Sequence, residues 1–118
     1  MMVEGSCHCG KVRIEIDAAP DEVTDCNCSI CRRYGTLWAY YNPKQVRIVE
    51  EVPTHIYQWD DRSLTFHRCA ECGCVTHWSA VKPDHPRMGV NARLLTPNVL
   101  AAARVRKFDG ASFGNRTH

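Results

Sequence analysis

The alternation of polar and apolar residues predicts a series of short β-strands. Residues 11–16 alternate strictly, as in a strand with one buried face. Further aromatic or β-branched runs are separated by turn signals such as Asn42-Pro43 and Asp60-Asp61-Arg62. These runs predict strands at residues 37–41, 45–49, 54–59, 63–68, 74–79, 87–91 and 105–108. We expect the strands at 54–59 and 63–68 to form a hairpin, because only the Asp60-Asp61-Arg62 segment separates them.

Helical signals are few and short. Ser29 is a candidate cap for one helical turn that ends near Gly35. Thr96 and Pro97 predict the start of an Ala-rich helix that reaches about residue 103. The sequence contains no linker, repeat or low-complexity tract. It therefore predicts a mainly β fold with short accessory helices, in a single domain over residues 1–110, followed by a loosely ordered tail at 111–118.

Composition is that of an ordinary globular protein. The chain has 118 residues, of which 44% are hydrophobic and 24% charged, and this length fits one domain. No apolar run is long enough to span a membrane. The first residues show no basic segment followed by an apolar stretch, so we expect no secretory signal and a cytoplasmic location.

Cysteine is the residue type that departs from the average. Seven of the eight cysteines lie in three tight clusters, which are Cys7-x-Cys9, Cys26-x-Cys28-x-x-Cys31 and Cys69-x-x-Cys72. Such spacings let neighbouring thiolates converge on one metal ion. A disulfide framework is the alternative, but it gives no reason for crowding three thiols into one segment, and no secretory signal is visible. We expect zinc, with iron in a tetrahedral thiolate site as the alternative.

The clusters divide into one set of four and one set of three. Two remote pairs would close a structural zinc site, whose ligands are Cys7, Cys9, Cys69 and Cys72. Glycine follows the second cysteine of each pair, at Gly10 and Gly73, where it frees the backbone to turn. We therefore expect two zinc ions per chain, the second of them held by the remaining cluster.

The second zinc site would be formed by Cys26, Cys28 and Cys31. Three ligands leave a fourth position open to water or substrate, as in catalytic zinc sites. An alternative is that Cys74, His67 or His77 completes this site and makes it inert. We expect Cys74 to act as a small apolar residue and both histidines to be structural or solvent-facing.

Net charge does not indicate a nucleic-acid partner. Seven thiolates would outweigh two divalent ions by three charges, which brings the formal +2 to about −1. We interpret the basic residues at 104–107 as a charged strand face. Arg32 and Arg33 directly follow the three-cysteine cluster, where they are either solvated or form a positive rim that attracts a carboxylate-bearing thiol.

The cysteine motifs carry a family resemblance. The segments that carry it are Cys-His-Cys-Gly-Lys-Val at 7–12, Cys-Asn-Cys-Ser-Ile-Cys-Arg-Arg-Tyr-Gly at 26–35, Arg-Cys-Ala-Glu-Cys-Gly at 68–73, Asn-Ala-Arg-Leu-Leu at 91–95 and Phe-Asp-Gly at 108–110. They resemble the glutathione-dependent formaldehyde-activating enzyme family, whose domain is shared with centromere protein V. The resemblance implies a β-tent fold, in which folded-over antiparallel strands are pinned by zinc. It also implies the same division into structural and catalytic ligands.

The activity implied by the resemblance is the joining of formaldehyde to glutathione to give S-(hydroxymethyl)glutathione. We therefore expect a zinc-dependent carbon–sulfur lyase acting on a small thiol and an aldehyde, with Arg32, Asn91 and Arg93 as candidate substrate-binding residues. The sequence does not identify a residue that acts as general acid or base. The alternative is a zinc-stapled interaction module, like a guanine-nucleotide-exchange chaperone of the same fold, or a domain that binds nucleic acid or cytoskeletal partners, as the centromeric relative suggests.

Overall fold

The computed structural model describes residues 2–112 and confirms the predicted mainly β class. Ten strands lie in this part of the chain: β1 Val3–Ser6, β2 Val12–Ile16, β3 Glu22–Cys26, β4 Trp38–Tyr41, β5 Val46–Glu50, β6 Thr54–Tyr57, β7 Leu64–Cys69, β8 Val75–Ala80, β9 Met88–Asn91 and β10 Arg104–Phe108. The helices are α1 Ser29–Tyr34 and α2 Pro97–Ala102, and 3₁₀ turns cover Pro43–Gln45, Ala92–Leu94 and Gly110–Ser112.

The strands form two sheets. A three-stranded sheet has the order β1-β2-β5, and a seven-stranded sheet has the order β10-β3-β4-β9-β8-β7-β6. The predicted hairpin is confirmed, since β6 pairs with β7 in antiparallel register. All strand pairs are antiparallel except β10 with β3, which are parallel. The sequence pattern did not predict β1 and β3.

The alternation at residues 11–16 produces the expected buried face. Val12, Ile14 and Ile16 on β2 are fully buried, while Arg13 between them is exposed. Apolar residues of both sheets meet in one cluster, which contains Ile14, Ile16, Val23, Leu37, Ala39, Met88, Val90, Ala92 and Leu95. Burial of this shared cluster therefore holds the two sheets together.

The seven-stranded sheet has a second covered face. Successive residues of a strand point to opposite faces, so Phe66 and Trp78 share one face of the β7–β8 pair while His67 and His77 share the other. Phe66 and Trp78 belong to a cluster with Trp38, Cys26, Cys28 and Cys31. The sheet thus separates the apolar core from the three-cysteine cluster.

The helices begin and end close to the predicted residues. The structure places Cys28 at the N-cap of α1 and Ser29 at its first helical position, so Ser29 is not the cap. The helix ends at Gly35, whose φ of 69° lies in the left-handed region that favours glycine. Thr96 occupies the N-cap position of α2 without a side-chain capping hydrogen bond, and Pro97 lies in the first turn, as predicted.

The predicted tail lies mostly outside the described residues, which end at Ser112. The extent of the domain and the loose order of residues 111–118 therefore stay predictions. Between residues 2 and 112, no helix has the length and apolar character needed to cross a membrane.

The histidines predicted to be structural form a stacked pair. The ring centroids of His67 and His77 are 4.1 Å apart, with an interplanar angle of 7°. The two ring nitrogens of His67 contact the hydroxyls of Thr54 and Ser79, both at 2.9 Å, and His77 Nδ1 lies 2.8 Å from the Thr76 hydroxyl. Burial lowers the pKa of His77 to about 3 and lowers that of His67 as well. Both rings are therefore neutral at pH 7.

This burial predicts a pH dependence of stability. The unfolded chain protonates His77 near pH 6.5, whereas the folded state keeps it neutral down to about pH 3. Stability should therefore fall as pH drops from 6.5 towards 3, by at most about 1.4 kcal/mol per pH unit for this one proton. His77→Gln should show a shallower slope in denaturant unfolding measured across this pH range. The two proteins have the same cysteines. Equal slopes of the free energy of unfolding against pH would contradict a neutral buried His77.

Candidate metal centres and cavity

The first cysteine group joins the two sheets. Cys7 and Cys9 follow β1, whereas Cys69 ends β7 and Cys72 lies in the turn before β8. Their four sulfurs all lie within 4.8 Å of one another. Two similar turns bring them there, since Gly10 and Gly73 donate backbone hydrogen bonds to the carbonyls of Cys7 and Cys69 at 3.2 and 2.9 Å. Both glycines have φ near 80°, which explains their place in the sequence motif.

The geometry of this group fits a tetrahedral metal ion. Cys7 and Cys9 Sγ are 3.6 Å apart, and Cys9 and Cys69 Sγ are 3.7 Å apart. Four thiolates about 2.3 Å from one ion would be separated by about 3.8 Å. All eight cysteines are free, so the disulfide alternative has no support. The backbone N–H groups of Cys72 and Glu71 lower the pKa of Cys69, which favours the ligating thiolate.

The second group lies where β3 passes into α1. Cys26 ends β3, Cys28 caps α1 and Cys31 lies within it, and all three are buried with their sulfurs within 4.8 Å of one another. The Trp38 indole donates to Cys31 Sγ at 3.2 Å. Donation from the thiols of Cys26 and Cys31, together with backbone N–H groups of the helix start, lowers the pKa of Cys28. The group can hold a metal ion through three thiolates.

Across residues 2–112, no histidine, cysteine or carboxylate lies within the same distance of this group as a fourth ligand. Cys74 packs instead against the cluster of Cys7, Val12 and Cys69, so the structure places it away from the three-cysteine group. His67 and His77 lie on the opposite face of the seven-stranded sheet. The arrangement leaves one side of the three-cysteine group available to a ligand from solution.

A clamp of hydrogen bonds holds the end of the described chain against this group. The Asn27 side chain donates to Asp109 Oδ1 at 3.0 Å and accepts the Ala111 N–H at 2.9 Å. Gly110 is buried, and a Cβ at this position would lie 2.6 Å from Cys26 Sγ. The absence of a side chain at Gly110 therefore lets the backbone close over the cysteine cluster.

A cavity of about 340 Å³ opens beside the three-cysteine group. Its walls combine aromatic and charged side chains. The lining residues are Cys26, Cys28, Ile30, Cys31, Trp38, Tyr40, Trp59, Asp60, Asp61, Ser63, Leu64, Phe66, Trp78, His85, Arg87 and Phe108. The Arg87 guanidinium lies over the Tyr40 ring, 4.4 Å from its centroid.

The predicted substrate-binding residues do not line this cavity. Asn91 is buried and donates to the Val75 carbonyl at 2.8 Å, and Arg93 donates to the Gly35 carbonyl at 2.7 Å. Arg32 is exposed on α1. Their role in substrate binding stays a prediction. Sequence reasoning missed His85, Arg87 and the aromatic walls, because no local spacing connects these residues.

The basic residues of β10 face acidic residues of β3. Arg104 and Arg106 contact Glu22 at 3.4 Å, and Lys107 contacts Asp25 at 2.6 Å. The parallel β3–β10 register places Arg104 opposite Glu22 and Lys107 opposite Asp25. Their charges are therefore largely compensated, in line with the expected charged strand face.

A two-sheet β fold that carries one group of four cysteines and one of three, the latter beside a cavity, defines a cysteine-rich domain able to hold metal ions. The sequence model of the family "Glutathione-dependent formaldehyde-activating enzyme" matches residues 2–108. The chain belongs to this family.

Two similar proteins agree with the assignment. A Halomonas elongata protein named "Putative glutathione-dependent formaldehyde-activating enzyme" is 30% identical in an alignment that covers 83% of this chain and 77% of that protein. A crystal structure of a Rhodobacter sphaeroides protein is 31% identical, with a TM-score of 0.68 over 87% of this chain and 99% of that one.

The clamp yields a prediction about metal affinity. Gly110→Ala should displace Cys26 Sγ and weaken metal binding at the three-cysteine group by about tenfold or more, while the four-cysteine group keeps its affinity. Titration with a competing chelator measures both sites. Ala111→Ser is the matched control, since it leaves the backbone bond to Asn27 in place. If Gly110→Ala binds metal as tightly as the control, the close approach at Cys26 does not constrain the site.

Proposed function

We propose that the protein is a zinc-dependent carbon–sulfur lyase that interconverts a small thiol and an aldehyde with their adduct, as in the formation of S-(hydroxymethyl)glutathione. The observation that carries this proposal is the three-cysteine group beside an open cavity, with no fourth protein ligand within the described chain. Membership of the family supports glutathione and formaldehyde as the substrates.

The two cysteine groups have different proposed roles. Cys7, Cys9, Cys69 and Cys72 would hold a structural zinc between the two sheets, while Cys26, Cys28 and Cys31 would hold a second zinc beside the cavity. When bound there, zinc would lower the pKa of a thiol ligand, so that thiolate is available at neutral pH. Three thiolates suit this task because they are soft ligands that favour a further sulfur.

The reaction conserves all atoms of its substrates. The thiol sulfur attacks the carbonyl carbon, a carbon–sulfur bond forms, and the oxygen receives the proton that the thiol loses. The reverse direction breaks the same bond and releases thiol and aldehyde. The aromatic walls limit water around the reacting atoms. Arg87, held over Tyr40, is positioned at the cavity to bind a carboxylate of the thiol.

A cytoplasmic location is also proposed. The free thiols of both groups persist in reducing compartments, where glutathione is kept reduced.

The proposed roles predict different effects of two cysteine substitutions. Cys72→Ser should unfold or aggregate the protein, because zinc at the four-cysteine group joins segments about sixty residues apart and can contribute on the order of 10 kcal/mol to folding. Cys28→Ser should stay folded with one equivalent of zinc, since its group is local. Thermal unfolding together with elemental analysis checks both. Equal loss of the thermal transition in the two variants would mean that the roles are assigned wrongly.

Catalysis can be tested on the zinc-loaded protein. It should accelerate the exchange between free formaldehyde, supplied with an isotopic label, and its glutathione adduct, measured by exchange spectroscopy. Cys28→Ser should reduce the enhancement to the uncatalysed level. Cys74→Ser should keep most of it, because Cys74 belongs to neither cysteine group.

Two outcomes would contradict the proposed function. The first is wild-type protein with two zinc ions that neither binds glutathione nor accelerates exchange, which would favour the interaction module. The second is a Cys28→Ser variant as active as wild type, which would place any activity outside this cavity.

A further inference from the structure

One histidine lies at the cavity, and the proposed reaction has so far given it no role. Among the histidines of residues 2–112, only His85 lines the cavity that the three-cysteine group also lines. His85 is exposed and belongs to the loop of residues 81–87, which joins β8 to β9. Its side chain therefore meets both the solvent and a molecule bound beside the cysteines.

The loop holds the backbone of His85 in place. The His85 N–H donates to the Lys82 carbonyl at 3.2 Å, which closes a turn that begins with Pro83. Proline fixes the φ angle at Pro83 and again at Pro86, directly after His85. The buried strand β9 begins shortly afterwards. The backbone on both sides of His85 therefore has little conformational freedom.

The imidazole ring is oriented by the backbone of Arg87. His85 Nδ1 lies 3.1 Å from both the backbone nitrogen and the carbonyl oxygen of Arg87. Without a proton, Nδ1 accepts the Arg87 N–H, and with a proton it donates to the Arg87 carbonyl. Each protonation form of the ring thus has a backbone partner at Nδ1. The other nitrogen, Nε2, is not used in these contacts and can exchange a proton with a molecule in the cavity.

The proposed reaction moves a proton between two atoms of its substrates. The thiol loses a proton from sulfur, and the aldehyde oxygen gains one. Besides the cysteines, the other ionisable residues of the cavity lining are Tyr40, Asp60, Asp61 and Arg87. Imidazole is the side chain that both takes up and releases a proton near neutral pH. A proton carrier is most effective when both of its forms are populated, which favours His85 over these four residues.

We propose that His85 is the general acid–base residue of the thiol–aldehyde reaction. This inference rests on the proposed function and adds a catalytic residue to it. As the adduct forms, His85 Nε2 takes the proton of the breaking S–H bond, and the sulfur electron pair forms the carbon–sulfur bond. The π electron pair of the carbonyl moves to oxygen, which takes the proton from Nε2. The ring returns to its starting form, and the reverse reaction follows the same steps backwards.

His85→Asn tests this role on the zinc-loaded protein. The asparagine amide can keep the contact with the Arg87 backbone, but it does not carry a proton at neutral pH. For exchange between formaldehyde and its glutathione adduct, kcat should fall by about 100-fold or more. KM for the adduct and the zinc content should stay near the wild-type values. His55→Asn is the matched control and should keep the wild-type kcat, since His55 is exposed on β6 and lies outside the cavity lining.

Chemical rescue separates proton transfer from a structural role. His85→Ala removes the ring and leaves space for a small base in solution. A suitable base is 2-methylimidazole, because its methyl group hinders binding to a metal ion. After subtraction of the reaction without protein, this base should raise the activity of His85→Ala by at least about tenfold. It should change the activity of wild type and of His55→Asn little.

The outcomes separate this inference from the proposed function. A wild-type kcat in His85→Asn would overturn the inference and leave the thiol–aldehyde reaction standing. So would a loss of activity in His85→Ala that 2-methylimidazole does not restore, or failure of both variants to fold, because His85 would then only hold the loop that carries Arg87. Absence of acceleration by the zinc-loaded wild type would refute the proposed function, and this inference with it.

Discussion

The structure depends on the meeting of two remote pairs of thiols. Cys7 and Cys9 follow a strand of the three-stranded sheet, and Cys69 and Cys72 lie at the end of a strand of the seven-stranded sheet. The four sulfurs lie within 4.8 Å of one another. Thiolates at this separation repel one another strongly, so the arrangement requires a cation or shared protons to be stable. A divalent ion would satisfy this requirement and fix the angle between the sheets. The ion would then hold the two sheets together in addition to the small apolar cluster between them.

The seven-stranded sheet lies between the core and the cavity. Strand alternation on β7 and β8 places His67 and His77 toward the core and Phe66 and Trp78 toward the three-cysteine group. On the histidine face, His77 is buried, His67 is partly buried, and both rings lie within hydrogen-bond distance of hydroxyl groups. The aromatic face lines the cavity that also contains the three-cysteine group. Because the same two strands form both faces, a change in the core at this point would also move the walls of the cavity.

The three cysteines of the second group lie close together in the sequence, but the residues around them come from distant parts of the chain. Cys26, Cys28 and Cys31 come from one short segment, in which the end of β3 and the start of α1 bring them near one another. Their surroundings come from β4 through Trp38, from β7 and β8, and from the Asp109 region through its bonds to Asn27. The parallel pairing of β10 with β3 delivers Gly110 to Cys26. Three thiols close together in sequence can hold a metal ion, and distant elements form the cavity beside them.

The sequence alone determined the class of the fold, eight strands, the hairpin at 54–68 and the grouping of the seven clustered cysteines, because these depend on short spacings and on periodicity. It did not predict β1 or β3. In β3, Val23 and Thr24 are both buried, so the strand lacks alternation, and its hydrogen-bond partners lie far along the chain. Only the tertiary structure decided that Arg87 and six aromatic residues line the cavity. These positions come together through sheet order, and sheet order is set by long-range pairing that no local pattern encodes.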